Sequence, residues 1–275
     1  MALTPLSHGP TLHGITCLGM GKRPEDTPRL RENNRAYQRK SNDMDETGAV
    51  RGDHVLTDRP LAVVFDMDGL MFNTEDIYFL VGDELLKRRG HRFSRELSDA
   101  MMGRPPRDSF EIMIDWHGLS DLPERLIQES EDLFIEMIQG RIEPMPGLLE
   151  LLDALERHDI PKAIATSSSR RTLRAVLACF NMEPHFQFTL TADDITRGKP
   201  EPEIYLLAAR KFGISPHRVA VLEDSENGCR AAAAAGAFTI AVPAPHSARH
   251  DFSSAHMRIA GLSDPALYRL LHLTS

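Results

Sequence analysis

Four short stretches of this chain hold side chains of the types that do chemistry: Asp66-Met67-Asp68-Gly69, Thr166-Ser167, Lys199 within Gly198-Lys199-Pro200, and Glu223-Asp224-Ser225. Brought to one place, they would crowd the carboxylates of Asp66, Asp68, Glu223 and Asp224 into a single pocket. Such a group repels itself, so it calls for a divalent cation and a nearby ammonium. Lys199 is the candidate ammonium. The hard oxygen donors suit Mg²⁺, which takes one or two carboxylates together with waters and substrate phosphate. Taken singly, each stretch has an ordinary reading. Asp and Ser are common caps and turn residues, and a lone lysine is a solvated charge. The inference rests on their joint occurrence.

Parallel α/β sheets bind ligands outside the carboxyl ends of their strands, and the pattern places these residues there. Leu61 to Phe65 is a short apolar run ending in Asp66, the pattern of a fully buried strand. Lys162 to Ala165, Val219 to Leu222 and Phe238 to Val242 repeat it. Helical periods at Leu148 to Glu156, Arg171 to Phe180, Glu203 to Phe212 and Gly228 to Ala235 separate them. Strands alternating with helices imply crossover connections, hence an α/β fold with a doubly wound parallel sheet. Between the first and second strands the grammar changes to amphipathic helices alone, at Ile77 to Arg89, Ser94 to Met101, Asp108 to Trp116 and Pro123 to Gln139. The expected organisation is an α/β core of residues 60–74 and 145–275 with a helical cap at 75–144. Residues 1–59 are polar and aperiodic and read as a disordered extension.

The four stretches, in this order on these strand ends, resemble the haloacid dehalogenase superfamily in its branch with a helical cap after the first motif. The likeness spans about Leu61 to Leu262. It implies that Asp66 is a nucleophile forming a phospho-aspartyl intermediate, and that Asp68 protonates the leaving oxygen and then activates water. It further implies Mg²⁺ held by Asp66, the Asp68 backbone carbonyl and Asp224, with Glu223 acting through water. Thr166 and the Ser167 amide would hold phosphate at a helix N-terminus, and Lys199 would neutralise charge. An acid at position 68 favours phosphoryl transfer over dehalogenation, because a halide leaving group needs no proton. Mutases of the β-phosphoglucomutase type carry a histidine where this chain has Tyr78 and a cap arginine where it has Pro106. Arg104 and Arg107 lie beside that position, and Arg104 is the candidate contact to the substrate phosphate. The implied activity is a phosphatase for a small phosphorylated metabolite such as a sugar phosphate, with a phosphosugar mutase and a non-catalytic regulatory binding protein as alternatives.

A net charge of -8 argues against a nucleic-acid partner. No apolar run approaches the roughly 20 residues that span a bilayer. Cys17, Cys179 and Cys229 are odd in number and scattered, which fits neither a disulfide framework nor a zinc site, so a cytoplasmic location is expected. His246, His250 and His256 read as an exposed loop. Trp116, Met101, Met102 and Met113 read as cap core. Gly14 to Lys22 superficially suggests a phosphate loop, but no strand precedes it and Arg23 stands where Ser or Thr is needed.

Overall fold

Each apolar run forms a strand, for the reason its composition suggests: β-branched and small apolar residues, buried on both faces of a sheet. The computed structural model describes residues 60–101 and 104–273; the extension, with Cys17 and Gly14 to Lys22, lies outside the described residues, as do Met102 and Gly103. The strands are β1 (Ala62–Phe65), β2 (Lys162–Ala165), β3 (Thr189–Leu190), β4 (Val219–Glu223), β5 (Phe238–Ala241) and β6 (Met257–Arg258). They build one sheet in the order β3-β2-β1-β4-β5-β6, and every pairing is parallel. Two-residue β3 and β6 escape the sequence reading because a period needs more residues to show itself.

The helices are α1 (Thr74–Lys87), α2 (Arg95–Met101), α3 (Pro106–His117), α4 (Pro123–Met137), α5 (Leu148–Arg157), α6 (Arg170–Ala178), α7 (Glu203–Phe212), α8 (Glu226–Ala234) and α9 (Pro265–Leu270). Side chains alternate across β1. Val63 and Phe65 pack with Leu151 and Leu155 of α5, Leu173 of α6 and Leu267 of α9. Val64 packs on the other face with Ile204 and Ala208 of α7 and Ala231 and Ala232 of α8. The small residues of α8 let that helix lie close to the sheet, and Gly236 follows its end with a left-handed φ of 75°.

Helices α1 to α4 follow β1 with no strand between them and bury their own cluster of Leu86, Leu97, Met113 and Leu126. The two chain crossings into this insert are pinned together. Glu143 N donates to Asn73 Oδ1 at 2.7 Å, Asn73 N donates to Glu143 O at 3.1 Å and Met145 N to Met71 O at 2.8 Å. The expectation for Trp116 fails, since the residue is 52% exposed. The buried stripe of α3 runs through Phe110 and Met113, and Trp116 falls to one side of it.

Candidate active site

Register decides which residues meet. Phe65 lies opposite Leu222 of β4, so the next residues on the two strands, Asp66 and Glu223, stand side by side. Phe65 lies opposite Ile164 of β2, which brings Thr166 to the same edge. The chain winds one way from β1 to β2 and β3, then returns to the other side of β1 with β4. That reversal opens a crevice at the carboxyl ends of β1 and β4.

Lys199 sits at the centre of the crevice. Its Nζ donates to Asp66 Oδ1 at 2.5 Å, Glu223 Oε1 at 2.6 Å and the carbonyl of Ala165 at 3.0 Å. Burial works against the ammonium, but Asp66 and Glu223 outweigh it and hold its pKa well above the usual lysine value. Glu223 is fully buried and accepts in addition from Tyr205 OH at 2.5 Å and Ser225 Oγ at 3.0 Å. Carboxylate oxygens of Asp66, Glu223 and Asp224 lie within 4.8 Å of one another. Burial raises the carboxyls of Asp66 and Asp224 well above their ordinary range, Lys199 pulls both down, and neighbouring carboxylates push them up again. With the carboxyls of Asp66, Glu223 and Asp224 ionised, the single ammonium of Lys199 would leave an excess of negative charge here. These hard donors and that excess fit a divalent cation.

Asp68 faces the other way. Thr166 Oγ1 and Ser168 Oγ donate to its Oδ2 at 2.9 and 2.8 Å, while Oδ1 is buried with no hydrogen-bond partner. Burial raises this carboxyl, and the hydroxyls of Ser168, Thr166 and Thr74, with the charge of Lys199, partly offset the rise. A carboxyl raised in this way is of the kind that serves in general acid–base chemistry. Ser168 is absent from the sequence expectation; Thr166 and Ser167 were legible by motif, whereas Ser168 is reached only through the turn between β2 and α6. Ser167 is exposed and lines the crevice. Ser169 caps α6, its Oγ accepting from Thr172 N at 3.1 Å.

Arg104 also lines the crevice, with Nε donating to the carbonyl of Ala100 at 2.9 Å. The insert is fastened to the core beside the Ser168 turn. Glu131 of α4 accepts from Ser169 Oγ and, at 3.1 Å, from Thr172 Oγ1. Tyr78 OH lies 3.4 Å from Ser168 Oγ and its ring stacks on Phe134 at 4.4 Å.

The histidine expectation needs correction at His246 and His250, which are half-buried, while His256 is exposed as expected. His246 Nε2 lies 2.7 Å from Asp224 Oδ2. His250 Nδ1 accepts from Glu226 N at 3.3 Å, and His256 Nδ1 accepts from Thr239 N at 3.1 Å. A one-turn helix at Pro245–Ser247 folds the segment after β5 back over the sheet edge, and nothing periodic in the sequence announces that turn.

Two glycines mark close approach. Gly69 has φ 76°, and a Cβ there would lie 2.5 Å from Asp224 Oδ2. A Cβ at Gly228 would fall 1.9 Å from Glu223 Cδ and Oε1. Gly228→Ala must therefore displace a fully buried, fully bonded carboxylate or push α8 off the sheet. We expect a loss of about 2 kcal/mol or more in urea unfolding, with reduced turnover. Wild-type stability in this variant would contradict the packing.

With this geometry in place, comparison with known proteins adds a family. Residues 63–242 match the model of haloacid dehalogenase-like hydrolases. The chain is 32% identical to the phosphorylated carbohydrates phosphatase of Thermotoga maritima over 64% of its own length and 81% of that protein. It is 33% identical to (DL)-glycerol-3-phosphatase 2 of Arabidopsis thaliana, over 66% of this chain and 79% of the relative. The crystal structure of CbbY from Rhodobacter sphaeroides in complex with phosphate superposes with a TM-score of 0.67 at 25% identity, covering 74% of this chain and 95% of that one. The chain belongs to the haloacid dehalogenase-like hydrolase family, among members named as phosphatases.

Proposed function

We propose that the protein is a Mg²⁺-dependent phosphatase that hydrolyses the monoester of a small phosphorylated metabolite through a phospho-aspartyl intermediate on Asp66. The observation that carries this reading is the division of labour between two carboxyls on one turn, Asp66 buried and Asp68 half-buried. Asp66 is bonded to Lys199, and Asp68 is held off from it by Thr166 and Ser168.

Asp66 attacks phosphorus. Asp68 delivers its proton to the departing alcohol oxygen, then takes one from the water that hydrolyses the acyl phosphate, regenerating both groups. Lys199 neutralises charge on Asp66 and on the transferring group, and Thr166, the Ser167 amide and Arg104 hold the remaining phosphoryl oxygens. Asp66, the Asp68 backbone carbonyl and Asp224 would hold Mg²⁺, with Glu223 behind them. The ion would supply countercharge to a dianionic phosphate that the excess of carboxylates otherwise repels. Residues 75–144 act as a cap that excludes bulk water. The names of the relatives support phosphate monoesters as substrates. Tyr78 and Pro106, where the mutase pattern has a histidine and an arginine, support water as the acceptor.

The test is a panel of phosphate monoesters assayed for both free phosphate and isomerised sugar. We expect phosphate release that needs Mg²⁺ and is abolished by EDTA. Isomerisation with little release would replace this reading by the mutase, and turnover that survives EDTA would remove the metal from it. Among the described residues no helix is long and apolar enough to cross a membrane.

A further inference from the structure

Two cavities meet at Asp68. One, of about 420 Å³, is the crevice itself, with Asp66, Lys199, Asp224 and His246 in its walls. The other, of about 480 Å³, runs from Asp68 and Ser167 into the helical insert. Asp68, Glu75, Arg104 and Ser167 line both, so the second opens on the first. Its depth is walled by Phe79, Leu85, Phe93, Phe110, Met113 and Phe134.

Polar side chains also line this second cavity, but most of them are already engaged. Ser109 Oγ donates to the carbonyl of Met101 at 3.0 Å. Glu131 is bonded to Ser169 and Thr172 of the core. Glu75 and Arg104 stand at the mouth; along one side the hydroxyls of Tyr78, Ser168, Ser169 and Thr172 are taken up by one another or by Asp68 and Glu131, and Ser98 and Ser130 add two more hydroxyls to a wall whose remaining residues are mostly apolar. A hexose pushed into this space would exchange water for aromatic carbon, and each unpaired hydroxyl would cost binding energy. An apolar body would gain in the same place, because the walls offer it contact and release of water.

We propose that this cavity receives the alcohol part of the substrate, and that the preferred substrate is the phosphate monoester of an apolar aliphatic or aromatic alcohol. The inference rests on the phosphatase reading above and narrows its substrate class. The phosphate sits in the polar crevice at Asp66, and the organic group extends past Asp68 toward Phe110 and Met113.

The test is a series of n-alkyl phosphates from ethyl to octyl, with phenyl phosphate and a set of hexose monophosphates, all assayed with Mg²⁺. We expect kcat/KM to rise about fourfold per added methylene until the cavity is filled. Hexose phosphates should fall at least about tenfold below the best alkyl ester. Ile127 is a half-buried wall residue on α4, and Ile127→Phe should make the series level off at a shorter chain. If that variant does not fold, the wild-type series decides alone. A flat alkyl series with hexose phosphates preferred would overturn the apolar assignment and leave the phosphatase standing. Failure to hydrolyse any monoester in either set would overturn the reading beneath it.

Discussion

Asp66→Asn is expected to lower kcat/KM for phosphate release by at least about a thousandfold, some 4 kcal/mol of transition-state stabilisation, without loss of folded stability. Asparagine keeps the size of the side chain and removes its nucleophilic charge. In the folded protein burial raises the Asp66 carboxyl well above its ordinary range; Lys199 counteracts this, and Glu223, Asp224 and Asp68 add to it. Deleting one negative charge from that crowd relieves repulsion, and Lys199 keeps its bond to Glu223. Thermal melting in metal-free buffer should show Asp66→Asn at or above the wild type. Acid quenching during turnover of a radiolabelled monoester should leave label on the wild-type protein and none on the variant. A variant retaining a tenth or more of the activity would remove Asp66 from the nucleophile's role.

Lys199→Met should have the opposite effect on stability. The Lys199 side chain is 6% exposed and is bonded to both Asp66 and Glu223. Methionine fills similar volume but leaves two buried carboxylates without their cation, and breaking a buried pair in this way typically costs about 3–5 kcal/mol. Urea unfolding of the variant in metal-free buffer measures the loss. Adding Glu223→Gln removes one of the stranded charges, so the double variant should recover at least about 1 kcal/mol, a coupling that a double-mutant cycle isolates. Additive losses would mean that Lys199 acts by packing alone. Activity should fall in both variants, because neither restores a cation beside Asp66.

Much of this molecule is legible in its residue order. The continuous apolar runs of β1, β2, β4 and β5 are too short for buried helices and too apolar for exposed strands, and those of β1, β2 and β4 end in the polar residues of the candidate site. The helices of the insert show their periods because each buries one face only. The family likeness draws Asp66, Asp68, Thr166, Lys199, Glu223 and Asp224 together from residue order alone, and the sheet brings their side chains around one crevice.

What escaped are contacts whose partners lie far apart in the chain. Ser168 reaches Asp68 across 100 positions. His246 meets Asp224 only because the segment after β5 turns back over the sheet edge. Trp116, apolar by type, is exposed because the stripe on α3 is centred elsewhere. The apolar cavity is likewise assembled from α1, α3, α4 and Phe93, where each side chain alone looks like ordinary core. Local pattern determines which face of an element is buried and which residues stand at its end, since both follow from spacing along one chain segment. Only the tertiary arrangement, the register of the sheet together with the packing of the insert against the core, decides how those ends are charged, which carboxylates Lys199 holds, and what shape of alcohol can lie beside Asp68. Those quantities depend on distances between segments, and residue order alone does not contain them.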